Sequence, residues 1–207
     1  LETMQEIFAN REKLFSVNRF FIKKKIEQEN RYLSFDSTEF NLEPDLKESP
    51  GSLRDFQTAG WILDHCFKLK SHADITNSNI FHSDEFKRII NAHDFIKLLR
   101  YSINLIQTNS RNRLSFNSQI ELAKKANIKE TKVKQPVERL MQLYYSNAEK
   151  LSIFNETIFD IYEEKNFLKV KKDYGEFFIK NNRIGLKNED LKNNKHLIFK
   201  IFVKIGQ

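Results

Sequence analysis

PVERLMQLYYSNAEKLSIFNETIFDIYEE, residues 136–164, carries the longest regular pattern in the chain. Val137, Leu140, Met141, Tyr144, Ala148, Leu151, Phe154, Ile158 and Ile161 recur every three or four positions, the period of one helix face. Pro136 stands at a first-turn position, where its missing N–H leaves no intrahelical bond unmade. At 1.5 Å per residue the pattern predicts a helix about 40 Å long, and a helix of that length needs others to bury its apolar stripe.

Toward the N-terminus those partners are legible. A short helix around Gln119 to Ala126 follows a polar turn from Thr108 to Arg113. Ser83, as N-cap ahead of Asp84 and Glu85, opens a long helix with a stripe of Phe86, Ile89, Ile90, His93, Ile96, Leu99, Ile103 and Ile106. Residues 71–82 read as polar connection. A further helix, beginning near Ser52 and ending before Ser71, aligns Phe56, Ala59, Ile62 or Leu63, Cys66 and Phe67. The first helix runs from Glu2 to about Arg31 through Ile7, Leu14, Val17, Phe21 and Ile26, with Lys23, Lys24 and Lys25 on or near its solvent side. It starts without a cap, as expected of a segment of a longer chain.

Past Glu164 the texture changes. Phe167, Leu168 and Val170, a Lys-Lys-Asp-Tyr-Gly turn at 171–175, and Phe177, Phe178 and Ile179 predict a β-hairpin. A closing helix from about Lys195 to Val203 would bury Leu197, Ile198, Ile201 and Phe202. The expected fold is therefore mainly α: a helical bundle over 1–165 and a small C-terminal β-hairpin and helix over 166–207. With 5 Gly and 3 Pro in 207 residues, the composition suits long helices better than a many-turned β fold.

Bulk properties exclude several classes. No run of about 18 apolar residues is present, and no basic patch leads into an apolar segment at the N-terminus, so the chain reads as cytoplasmic with no membrane partner. The lone Cys66 has no internal disulfide partner and falls in an apolar helical stretch. Of the net charge of +7, residues 163–207 hold 11 basic against 6 acidic side chains. That charge is scattered among Asn rather than interleaved with aromatics, which reads as a solvated surface and not as a nucleic-acid binder.

Nucleotidyl transfer by a two-metal route needs carboxylates in an Asp-x-Asp arrangement shortly after a Gly-Ser turn. Gly51-Ser52 is followed only by Asp55, at a predicted helix start, so no catalytic residue and no metal ligand is assigned. Asp55 reads most economically as a first-turn acid facing the helix dipole, with a ligand or salt-bridge role open. His93-Asp94 resembles a phosphohydrolase metal pair only superficially, because His93 lies on the apolar stripe and the other histidines show no matching pattern. The richest stretch is the loop over 32–55, and within it NLEPDLKESPGSLRD, residues 41–55. Glu43, Asp45, Lys47, Arg54 and Asp55 crowd a loop that feeds a helix N-terminus. That geometry suits gripping a phosphate or holding a neighbouring domain by ion pairs, or else merely tying the loop to the bundle.

The loop resembles the Asn-Leu-Glu-Pro-(Asp/Asn)-hydrophobic-Lys…Pro-Gly-Gly-Leu-Arg-Asp motif of the bacterial protein-PII uridylyltransferase/uridylyl-removing enzymes. The likeness continues in order through Gln57-Thr58, Trp61, Arg113-Leu114-x-Phe116-x-x-Gln119 and Pro136-Val137-Glu138-Arg139-Leu140-Met141 with Tyr144-Tyr145. It implies the helical segment that follows a nucleotidyltransferase domain and precedes HD and ACT domains. The enzyme so implied moves UMP from UTP to a tyrosine of the PII signal protein, using Mg²⁺, in glutamine signalling. None of its catalytic carboxylates lies in this chain, so the segment alone is expected to be inactive and to hold no cofactor.

On this resemblance Glu43, Asp45, Lys47, Arg54 and Asp55 would face the neighbouring catalytic domain, with Arg113 and Arg139 as weaker candidates. Lys47 and Arg54 would neutralise triphosphate charge, and Glu43 and Asp45 would position them or assist Mg²⁺. The alternative is a non-catalytic spacer that docks PII or the neighbouring domains. One position departs from the family motif: Ser52 stands where Gly is usual. A positive φ there would cost about 1 kcal/mol, whereas a helix N-cap would suit Ser, and the N-cap is the reading adopted.

Overall fold

The computed structural model describes residues 16–35, 37–78, 80–106, 112–130, 134–167, 171–175, 177–180, 183–186 and 195–205. Ile7, Leu14, Leu168 and Val170 of the expected pattern lie outside these residues. The chain divides into two compact units, Leu1–Asp160 and Ile161–Gln207.

The first unit is helical. It contains α1 (Val17–Leu33), α2 (Leu53–Phe67), α3 (His72–Asn77), α4 (Ser83–Ile106), α5 (Phe116–Lys125) and most of α6 (Pro136–Asn166). On α4 the buried side chains are Phe86, Ile89, Ala92, Ile96, Leu99 and Ile103, a run of three- and four-residue steps that turns one face inward. Its 31 residues make α6 about 46 Å long at 1.5 Å per residue. Along it Leu140, Tyr144, Ala148, Leu151, Phe154 and Ile158 are buried, as the repeat requires. Phe154 is the aromatic centre of the core, with ring centroids 5.7 Å from Phe56, 5.3 Å from Phe81 and 6.1 Å from Phe86. Phe21 brings α1 onto the same helix through Phe159, at 5.3 Å.

Four expectations are corrected here, one being that the closing helix buries Ile198 and Phe202, which are 42% and 69% exposed. Ile26 is 51% exposed, because α1 turns Phe21 inward and leaves Ile22 and Ile26 on the outer side. The connection over 71–82 contains α3, started by a capping box in which the Ser71 hydroxyl accepts from the Asp74 amide and the Asp74 carboxylate accepts from the Ser71 amide. Lys171–Asp173, expected as a turn, is a strand.

That strand, β1 (Lys171–Asp173), belongs to the second unit with β2 (Phe177–Lys180), β3 (Arg183–Leu186) and α7 (Lys195–Ile205). The sheet is antiparallel in the order β1-β2-β3, so the expected hairpin gains a third strand. Tyr174 donates its amide to the Phe177 carbonyl at 2.9 Å and stacks on the Phe177 ring, which closes the first turn. Gly185 pairs with Phe178, and a Cβ there would stand 2.2 Å from the Phe178 ring, so any larger residue would have to push that ring aside. Among the described residues no helix is long and apolar enough to cross a membrane.

Candidate functional site

The loop from Asn41 to Asp55 is built by contacts with residues far along the chain. Leu46 donates its amide to the Asn112 carbonyl and Leu114 donates to the Pro44 carbonyl, each at 2.8 Å, so that Asp45 and Arg113 form an isolated antiparallel bridge. Gln119 donates to the Leu42 and Leu114 carbonyls at 2.8 and 3.0 Å. Tyr145 on α6 donates to the Asn41 carbonyl at 3.3 Å, and Asn155, ten residues further along α6, donates to the Asp55 carbonyl at 2.9 Å. Between these two points Gly51 presses against α6. Its φ is +71°, and a Cβ there would stand 2.4 Å from the Ala148 carbonyl oxygen, so both the backbone angle and the space demand glycine.

The acidic residues of the loop mostly serve the loop itself. Asp45 Oδ1 accepts from the amides of Lys47 and Glu48 at 2.8 Å each, while the Asp45 amide donates to the Ser49 hydroxyl at 2.9 Å. Glu43 spends one carboxylate oxygen on the Phe116 amide at the start of α5, at 2.8 Å, and the other on Arg113, at 2.7 Å. Glu43 and Asp45 therefore brace the loop against α5 and the 112–114 segment. Both Glu43 oxygens and Asp45 Oδ1 are turned to these donors.

Asp55 is fully buried. Its carboxylate accepts from Arg31, from the Tyr32 hydroxyl at 2.7 Å and from the Gly51 amide at 2.7 Å. Burial pushes the Asp55 carboxyl up from its ordinary range, while Arg31, Tyr32 and the Gly51 amide pull the other way. Burial, and then the charge of Asp55, raises the Tyr32 hydroxyl well above the usual tyrosine range, which keeps it a protonated donor. Asp55 is thus an internal anchor and offers nothing to an outside ligand. Arg31 extends the anchor by donating its second nitrogen to the Glu48 carbonyl at 2.6 Å.

Ser52 occupies the N-cap position of α2 with φ −98°, so glycine's freedom is not needed there. Its hydroxyl donates to the Lys47 carbonyl at 2.6 Å rather than capping the helix.

What the loop turns outward is a charged edge. Glu48 receives Arg54 Nη2 at 3.0 Å and Nε at 3.3 Å on its two oxygens, and Lys47 Nζ at 3.1 Å. All three side chains are half-buried. Burial acts against the Glu48 carboxylate, but the hydrogen bonds and charges of Arg54 and Lys47 outweigh it and hold the group below its ordinary value. The edge continues across Trp61, 40% exposed, whose ring lies 5.9 Å from the Arg54 guanidinium and 4.3 Å from Lys24 Nζ.

Of the weaker candidates, Arg113 is tied to Glu43, and Arg139 donates to the Lys129 carbonyl at 2.7 Å, away from the loop edge. His93 stacks on Phe56 with centroids 4.2 Å apart and pairs with Asp94 at 3.1 Å. Among the described residues no group of three or more His, Cys, Asp or Glu could hold a metal ion. Reading the sequence had missed Arg31, Tyr32 and Glu48. The family model described as GlnD PII-uridylyltransferase matches residues 19–159. Similar curated proteins include the bifunctional uridylyltransferase/uridylyl-removing enzymes of Nitrosococcus oceani, 32% identical over 76% of this chain, and of Azotobacter vinelandii, 31% identical over 79%. The enzyme of the same description from Pseudomonas aeruginosa is 34% identical over 70% of this chain. The matched stretch covers 18%, 18% and 16% of these three relatives. No solved structure matches.

Proposed function

Given that the chain belongs to the PII-uridylyltransferase family, we propose that it is the helical segment that braces the nucleotide side of a protein-PII uridylyltransferase. In this reading the longer enzyme transfers UMP from UTP to PII. The observation that carries it is the outward pair Lys47 and Arg54, which share Glu48 on the loop's exposed edge while Glu43 and Asp45 brace the loop and Asp55 is buried. Two cations presented from a rigid backbone suit the phosphates of a nucleotide, since a preformed pair loses little freedom on binding.

The donor set does not fit Mg²⁺. Glu43 has both carboxylate oxygens engaged by the Phe116 amide and Arg113, Asp45 has Oδ1 engaged by two amides, and Asp55 is enclosed. Metal-assisted steps are assigned to the remainder of the longer enzyme. Lys47 and Arg54 contribute charge and position only.

In the full-length enzyme, Lys47→Ala and Arg54→Ala are expected to slow UMP transfer more than tenfold, with the helical circular dichroism of the chain unchanged. Wild-type rates with both changes present would overturn the reading.

A second reading, docking of PII, is favoured by a groove of about 720 Å³ lined by Phe40, Leu42, Phe116, Met141 and Tyr145, of which Phe40, Leu42 and Phe116 are more than half exposed. Leu42→Asp with Phe116→Asp would then abolish PII binding and leave UTP binding intact.

A further inference from the structure

We propose that Lys47 and Arg54 form an anion site that the chain fills with its own Glu48 carboxylate, so that a phosphate-bearing ligand enters by displacing Glu48. The pairing geometry is that of a bound ligand: Arg54 grips both carboxylate oxygens, through Nη2 at 3.0 Å and Nε at 3.3 Å, and Lys47 adds a third contact at 3.1 Å. Such fork-to-fork gripping is how a guanidinium receives a phosphate as well as a carboxylate.

The Glu48 backbone is pinned on both sides. Its amide donates to Asp45 Oδ1 at 2.8 Å, and its carbonyl accepts from Arg31 at 2.6 Å. Arg31 is itself fixed by Asp55, and the Arg54 amide is fixed on the Lys47 carbonyl at 2.9 Å. The Glu48 side chain can therefore rotate away while the backbone that carries both cations stays in place. Half-burial of all three side chains leaves the path to solvent open.

The neighbouring charges are Lys24, which stands over Trp61, and Glu27, which pairs with Lys24 at 2.7 Å and acts on Arg54 from α1. With Glu48 in place the five groups sum to one positive charge, and with it displaced to two. A terminal phosphate carries more charge than the carboxylate it replaces and outcompetes it once bound by the same donors, whereas a singly charged carboxylate ligand gains nothing. The site is thus selective for phosphates.

The proposal rests on the reading of Lys47 and Arg54 as phosphate-facing, yet the two fail separately, because binding is measured on this chain and UMP transfer on the longer enzyme. The probe is inorganic tripolyphosphate, titrated calorimetrically into the 207-residue chain. Glu48→Gln is expected to bind about three- to tenfold tighter than the unaltered chain, and adding Lys47→Ala or Arg54→Ala should cancel the gain. Glu121→Gln, which frees Lys125 from an exposed pair at 3.0 Å, controls for net charge. Binding by Glu48→Gln that is absent, no tighter, or matched by Glu121→Gln overturns the proposal. Amide exchange at Lys47 and Gly51 verifies that the loop of each variant is intact.

Discussion

Arg31 on α1 and Asp55 on α2 form an ion pair almost wholly removed from water, with side-chain exposures of 10% and 0%. The pair joins α1, α2 and the loop in one place, because Arg31 also holds the Glu48 carbonyl and Asp55 also holds the Gly51 amide. Deleting either partner leaves the other charged and enclosed. Asp55→Ala and Arg31→Met are each expected to lower stability by about 3–5 kcal/mol. The double variant should lose far less than the sum of the two. Urea unfolding of the three variants checks this, and single losses below about 1 kcal/mol would refute it.

Two glycines should respond in opposite directions. Gly51→Ala adds a Cβ at 2.4 Å from the Ala148 carbonyl oxygen on a backbone with φ +71°, and should cost about 2–4 kcal/mol. Gly60, inside α2 with nothing within 4 Å of an added Cβ, should gain about 0.5–1 kcal/mol on change to Ala. Thermal unfolding of the two variants decides the matter, and equal shifts would contradict the close approach at Gly51.

Tyr144 is buried beneath the loop, and its hydroxyl has no hydrogen-bond partner among the described residues. Tyr144→Phe removes a polar atom that already lacks a bond, so stability should hold within about 0.5 kcal/mol or rise by about 1 kcal/mol. A loss beyond about 1 kcal/mol would show that the hydroxyl is satisfied by an enclosed water.

Burial pushes the Cys66 thiol up to about 12, with Lys68 opposing weakly. The thiolate is the reactive form, so at pH 8 the folded chain should react with a disulfide reagent at least about a hundredfold more slowly than the urea-unfolded chain, whose thiol is ordinary. Comparable rates in the two states would place the sulfur in solvent.

The long helices were legible because burial on one side of a helix writes a 3.6-residue period into the sequence, as in Phe86 to Ile103 and Leu140 to Ile158. Ile26 broke the rule because its five-residue step from Phe21 carries it about 140° round the helix, off the buried side. The six-residue α3 buries only Ile75, too little for a period, although Ser71 and Asp74 already carried its capping signal.

The loop stood out by composition, but the direction of each charge did not. Glu43 reaches Arg113 and Phe116, 70 and 73 positions away, and nothing local reports such a partner. Arg31 and Tyr32 lay hidden at the end of a helix pattern, where Arg in the last turn already has an ordinary explanation.

The bonds that seat the loop, Asn41 with Tyr145 and Asp55 with Asn155, close over 104 and 100 positions of chain. They cannot form until α6 exists. On a ribosome the loop must therefore wait while about a hundred further residues are made, which takes on the order of ten seconds at ordinary synthesis rates. The segment that marks the family in sequence is thus seated only once α6 is made, and a chain halted before Asn155 would display Lys47, Glu48 and Arg54 on a loop without its Asn155 anchor.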